Sequence, residues 1–151
     1  MRRVLGLVAL LAGLHSVAAA QTLPLPRGAV QTHSETEQLG SHALPLASWT
    51  DDAGFYAVPV EGRVQRQAWR VDNTQATPLQ LMAPLRSALA GAGFDIVLDC
   101  DARACGGFDF RFAADVVPAP AMFVNLTRFR YLSARNSDGG AVSVLTSSAE
   151  D

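Results

Sequence analysis

Three phenylalanines alternate with two charged residues in Phe108-Asp109-Phe110-Arg111-Phe112, the cleanest period-two pattern along the chain. Successive side chains of a pleated strand point to opposite faces, so this stretch predicts a strand with its three rings toward a core and Asp109 and Arg111 outward. Gly106-Gly107 turns the chain into it, which predicts a hairpin with residues 94–98 across the intervening loop. Residues 61–71, 94–98, 129–135 and 141–146 are also strand candidates, rich in Val, Ile and aromatic residues and flanked by Gly, Asn or Asp. Asn136-Ser137-Asp138-Gly139-Gly140 has the turn chemistry to join the last two as a hairpin.

A different period governs residues 79–92, where Leu79, Met82, Leu85, Leu89 and Ala92 recur every three or four positions and share one helical stripe. Thr77 supplies a capping hydroxyl and Pro78 suits the first helical position, having no N–H to leave unsatisfied. Pro84 predicts either a kink or a regular helix beginning near Ala83, while Gly91 and Gly93 provide stopping positions. Strand, helix and strand within this stretch fit a right-handed crossover with parallel strands, or a split unit with another strand between them. Residues 21–60 carry Pro24, Pro26, Pro45 and Pro59 and no sustained period, predicting an extended, loop-rich lead-in with at most a helical turn over 34–39. The expected fold is α+β, in the order β-α-β-β-β-β over residues 61–147. It has a mixed or antiparallel sheet of about four or five strands, one helix on one face, and a short tail at 148–151.

The first 20 residues read as a cleavable signal peptide: Arg2 and Arg3, an apolar run from Val4 to Leu14, then Ala18-Ala19-Ala20 before Gln21. The run is far shorter than the roughly 20 residues that span a bilayer. No membrane span is expected after cleavage. All 12 basic residues are Arg; losing two leaves ten against 14 acidic residues, a net charge of about −4. With no basic block, nucleic acid and anionic membrane surfaces are disfavoured as partners. Absence of Lys beside abundant Ala, Gly and Arg points to a GC-rich, bacterial coding sequence.

Cys100 and Cys105 are the two cysteines of the chain. In an oxidising compartment the expected state is a disulfide acting as a local staple. A redox pair is the alternative, although four intervening residues do not match the C-x-x-C arrangement. A zinc site would need two further ligands, and after cleavage only His33 and His42 remain, far away in sequence. No metal or other cofactor is expected. Asp95, Asp99, Asp101 and Asp109 gather around the cysteine loop and offer a carboxylate pair for hydrolysis; turn-flanking Asp bonded to backbone is the plainer reading. Arg63, Arg66, Arg70 and Arg111, with Arg128, Arg130 and Arg135, fall on predicted strands and could line one sheet face suited to a partner's carboxylate or phosphate groups. Asn125-Leu126-Thr127 matches a glycosylation sequon that carries no meaning in a bacterial protein. No nucleophile elbow, phosphate loop or dinucleotide fingerprint is present.

Glu61-Gly62-Arg63-Val64, Gln67-Ala68-Trp69-Arg70, Leu79-Gln80-Leu81, Ala83-Pro84-Leu85-Arg86 and, above all, the run from Gly93-Phe94 through Cys105-Gly106-Gly107-Phe108 to Phe112 resemble the amino-terminal domain of OmpA-family exported proteins of alphaproteobacteria. The similarity covers about residues 20–146. In that family the domain has no assigned activity and precedes a carboxy-terminal peptidoglycan-binding domain, which this sequence lacks. The resemblance implies a fragment or a stand-alone version, located in the periplasm or at the outer membrane. It implies a non-enzymatic envelope module, meeting another envelope protein or serving as a spacer for an absent anchoring domain. A periplasmic thiol-redox protein using Cys100 and Cys105, and an Asp-dependent hydrolase, are the alternative functions.

Overall fold

The computed structural model describes residues 23–148, so the signal peptide expected over residues 1–20 and most of the expected tail at 148–151 lie outside the described residues. Beyond a short entry segment, the chain forms a long two-stranded ribbon. β1 (Val30–Pro45) pairs antiparallel with β2 (Ala57–Arg70), from Val30 opposite Arg70 to Pro45 opposite Ala57. This corrects the loop-rich lead-in and the helical turn over 34–39, and the expected domain boundary after residue 60 falls inside β2. β2 alternates, with Val58, Val60, Val64 and Ala68 on its partly covered side and Pro59, Glu61, Arg63, Gln65 and Gln67 exposed, whereas β1 shows no sustained apolar period. Pro45 and Pro59 are tolerated because neither strand has a further neighbour that would need their missing N–H. The register shifts between Glu37 and Gly40, where Leu39 is left exposed.

α1 (Pro78–Gly91) starts where expected. Thr77 Oγ1 accepts from the Gln80 N–H and Gln80 Oε1 accepts from the Thr77 N–H, a complete capping box. Of the expected stripe, Met82, Leu85 and Leu89 are buried, whereas Leu79 and Ala92 are exposed. The helix runs through Pro84 rather than starting after it. Ala92 caps it and Gly93, at φ +82°, turns the chain into β3 (Asp95–Asp101).

After β3 come two short helices, α2 (Ala102–Cys105) and α3 (Gly107–Ala113). The strand expected over Phe108–Phe112, and its hairpin with residues 94–98, are therefore corrected. Asp101 Oδ1 caps α2 by accepting from the Ala104 N–H, and Gly106, at φ +113°, redirects the chain straight into α3. A Cβ on Gly106 would stand 2.8 Å from both the Cβ and the carbonyl oxygen of Trp49. Glycine is required there for space as well as for dihedral angle.

β4 (Phe129–Arg135) and β5 (Ala141–Ser147) follow, joined by the expected turn, in which Asn136 Oδ1 accepts from the N–H groups of Asp138 and Gly140. The second sheet has the order β3-β4-β5, antiparallel throughout. The fold is thus α+β with two antiparallel sheets, of two and three strands. With β2 and β3 in different sheets, the crossover unit does not form. On one face of the three-stranded sheet Met82 and Leu89 of α1 pack against Leu132 and Ala134, with Ile96, Val142 and Val144 around them. The other face carries Cys100, Phe129 and Tyr131, covered by Cys105, Phe110 and Ala114 and by Trp49 and Phe55 from the β1–β2 connection. Ser133 Oγ, fully buried in central β4, donates to the Pro45 carbonyl and ties the ribbon's closed end onto this face.

Candidate functional site

The helical geometry of residues 107–113 reverses the meaning of the three phenylalanines. At 100° per residue, positions 108 and 112 share a side with 111, while 110 points away. Phe110 is fully buried, edge-on to Phe55 and Tyr131 with ring centroids 5.7 and 5.0 Å away. Phe108 and Phe112 are 59% and 64% exposed, with their rings 4.6 Å apart in tilted contact. Arg111 lies over the Phe112 ring at 5.4 Å, and its Nε is buried with no hydrogen-bond partner. Burial lowers its pKa from the ordinary guanidinium value, since nothing on this face compensates its desolvation. Two contacting aromatic rings in water with an under-satisfied cation between them form a patch suited to association.

A second constellation lies where the ribbon, the segment after α3 and β5 meet. His42 Nε2 is 2.8 Å from Ser143 Oγ, and His42 Nδ1 is 3.2 Å from Asp115 Oδ2. Arg66 grips the same carboxylate oxygen through Nε at 3.2 Å and Nη2 at 2.9 Å, and also bonds Glu37 and the Ser41 carbonyl. Burial pushes the Asp115 carboxyl up, but the hydrogen bonds from Arg66 and His42 outweigh it and hold it below its ordinary value. Next to this network the Tyr131 phenol is pushed up to about 12 by burial. Its hydroxyl makes no hydrogen bond of ordinary geometry, although Ser143 is near enough to oppose the shift slightly. The network clasps β1, β2 and β5 through the segment that follows α3.

Of the arginines expected on one sheet face, Arg63 and Arg66 point to opposite sides of β2, and Arg70 pairs with Asp72 at 2.8 Å just beyond its end. Arg111 sits on α3 instead of a strand. Arg130 and Arg86 converge on Asp99. The four aspartates are not assembled: Asp99 is held in that ion-pair group, Asp101 caps α2, and Asp95 and Asp109 are exposed. Cys100 and Cys105 form a disulfide with Cα atoms 5.2 Å apart, and both residues are buried. Sequence reasoning missed Phe108 and Phe112 as surface residues, though their i, i+4 spacing around Arg111 carries the signal once a helix is assumed. It missed the His42–Asp115–Ser143 association altogether, because the partners are 73 and 101 residues apart.

Among the described residues no group of three or more His, Cys, Asp or Glu side chains could hold a metal ion, and no helix is long and apolar enough to cross a membrane. Two open clefts, of about 500 Å³ beside Pro24–Arg27 and the start of α1 and about 350 Å³ between the ribbon and the β4–β5 turn, converge no titratable cluster. The chain matches no protein-family model and no curated protein.

Proposed function

We propose that this chain is a non-enzymatic module of the bacterial cell envelope, periplasmic or at the outer membrane, that acts by protein contact. The observation carrying this reading is the exposed Phe108–Phe112 pair flanking Arg111. Rings of this size are left in water at a cost that association would recover. The export-type amino terminus, the internal disulfide and the resemblance to an OmpA-family amino-terminal domain support the address. Burial of both cysteines favours a staple over a thiol-redox pair, since exchange needs an accessible sulfur. A photo-crosslinking amino acid at position 108 in cells producing the exported chain tests the reading. A discrete adduct with one envelope protein, lost when the crosslinker is moved to exposed Arg63, is expected; no adduct at 108 overturns it.

One observation favours a second reading. Ser143, His42 and Asp115 have the connectivity of a nucleophile, base and orienting carboxylate. Against it, Ser143 lies inside regular strand β5 rather than on an exposed turn, and Arg66 already occupies the oxygen that would orient His42. A fluorophosphonate probe decides the matter: labelling of Ser143 that disappears in His42→Ala establishes an activated serine, and an unlabelled chain removes this reading.

A further inference from the structure

We propose that the Phe108/Arg111/Phe112 stripe receives an acidic, apolar segment of a partner protein, one carboxylate on the Arg111 guanidinium and one apolar side chain against the two rings. The inference rests on the contact reading above and names the chemistry of the partner.

The choice of a carboxylate follows from how the arginines are satisfied. Arg66, Arg70, Arg86 and Arg130 each hold an ion pair with an Asp or Glu of this chain. Among the described residues no carboxylate pairs with Arg111, which is half-buried and whose Nε, like those of Arg86 and Arg130, is buried with no hydrogen-bond partner. A guanidinium in that condition gains more from an arriving carboxylate than a solvated one does, because part of its desolvation has already been incurred. Its face is occupied by the Phe112 ring. Nε is closed to solvent, so an arriving acceptor meets the two Nη groups, which are not among the buried polar atoms without a partner.

The apolar half of the partner follows from the rings. Phe108 and Phe112 are one helical turn apart and touch each other, so they present one continuous surface to a Leu or aromatic side chain. An extended polyanion is a poorer match. The chain carries a net charge of −2, and Asp109 stands exposed beside the stripe, so repeated negative charge is repelled where a single local carboxylate is not. That argues for a peptide carrying one well-placed acid among apolar residues over a nucleic acid or an anionic bilayer.

The test uses the chain from residue 21 onward, isotope-labelled, titrated with three synthetic peptides. These are Ser-Glu-Trp-Leu-Ser, its neutral analogue Ser-Gln-Trp-Leu-Ser, and Ser-Glu-Ser-Gly-Ser, which keeps the acid and loses the apolar pair. Amide shifts confined to residues 107–113 with the first peptide are expected, with affinity about two- to five-fold weaker for the neutral analogue, the range one partly exposed ion pair supplies. Arg111→Gln should abolish that difference, while Arg111→Lys, which keeps the charge and the fold, should retain part of it. Equal binding of the acidic and neutral peptides overturns the inference. So does binding of phosphatidylglycerol vesicles, or of a second copy, through the same amides in place of the peptide. If the crosslinker at 108 still captures a partner while none of the peptides binds, the acidic inference falls and the contact reading stands. If neither occurs, both fall.

Discussion

Phe110 is enclosed by Phe55 and Tyr131 while Phe108 and Phe112 stand in water, and three alanine substitutions convert that difference into stabilities. Phe110→Ala is expected to cost about 3–5 kcal/mol by denaturant unfolding, the range for a buried ring, while Phe108→Ala and Phe112→Ala stay within about 0.5 kcal/mol. A strand at this position would make all three equally costly, so comparable losses would refute the helix. Asp115 supplies a second prediction at this scale. Its folded pKa lies below the ordinary 3.8, so its contribution to stability is complete above that value and is lost as the pH falls through the lowered one. Arg66→Gln removes the strongest bonds that lower it and leaves burial, which raises it. The acid-unfolding midpoint should then move to higher pH, and an unmoved midpoint would show that Asp115 is not held by Arg66. Tyr131 works in the opposite sense: its proton is held up to about 12, so its contribution is complete below 10 and disappears as the pH rises through 12. Tyr131→Phe should flatten that alkaline loss and, with no hydrogen bond to break, change stability at neutral pH by less than about 1 kcal/mol.

The elements differ in what their sequences announce. α1 was legible because capping and periodicity are local: Thr77, Gln80, Met82, Leu85 and Leu89 lie within 13 residues and agree with one another. β4 and β5 were legible because they are packed on both faces and joined by a turn whose Asn and Gly residues have few alternatives. The ribbon was legible in part: β2 covers most of the strand read over residues 61–71, with Val64 and Ala68 on its partly covered side, whereas β1 carries no sustained apolar period and its pairing rests on backbone bonds that any side chain permits. α3 was misread because alternation with period two cannot distinguish a strand from one helical turn whose rings happen to fall on opposite sides. Only the left-handed Gly106, whose surroundings are set by Trp49 some 57 positions earlier, decides it. The candidate stripe on α3 was therefore legible in composition and not in placement. A test at this scale concerns Pro84, which sits mid-helix on the exposed side of α1. Pro84→Ala restores a backbone bond to the Gln80 carbonyl and removes a ring clash. It should raise stability by about 1–3 kcal/mol in urea unfolding; a loss would mean that Pro84 packs against the segment lining the neighbouring cleft.

Across the whole molecule, the three-stranded sheet is closed on one face by α1 and on the other by segments from everywhere else: the ribbon's end, its connection, α2, α3 and the residues after α3. The clasp at His42 joins pieces more than 70 residues apart, so the second face forms only when the chain is nearly complete. The disulfide, by contrast, closes a loop between neighbours in sequence. Replacing both cysteines by serine should lower stability by about 2 kcal/mol, the loop-closure share, and leave the fold intact in far-ultraviolet circular dichroism. Because Cys100 and Cys105 are the chain's two cysteines and lie on adjoining elements, oxidation within one molecule has a single product. An oxidant alone can close this bond, and a disulfide isomerase would find no alternative pairing within these residues to correct.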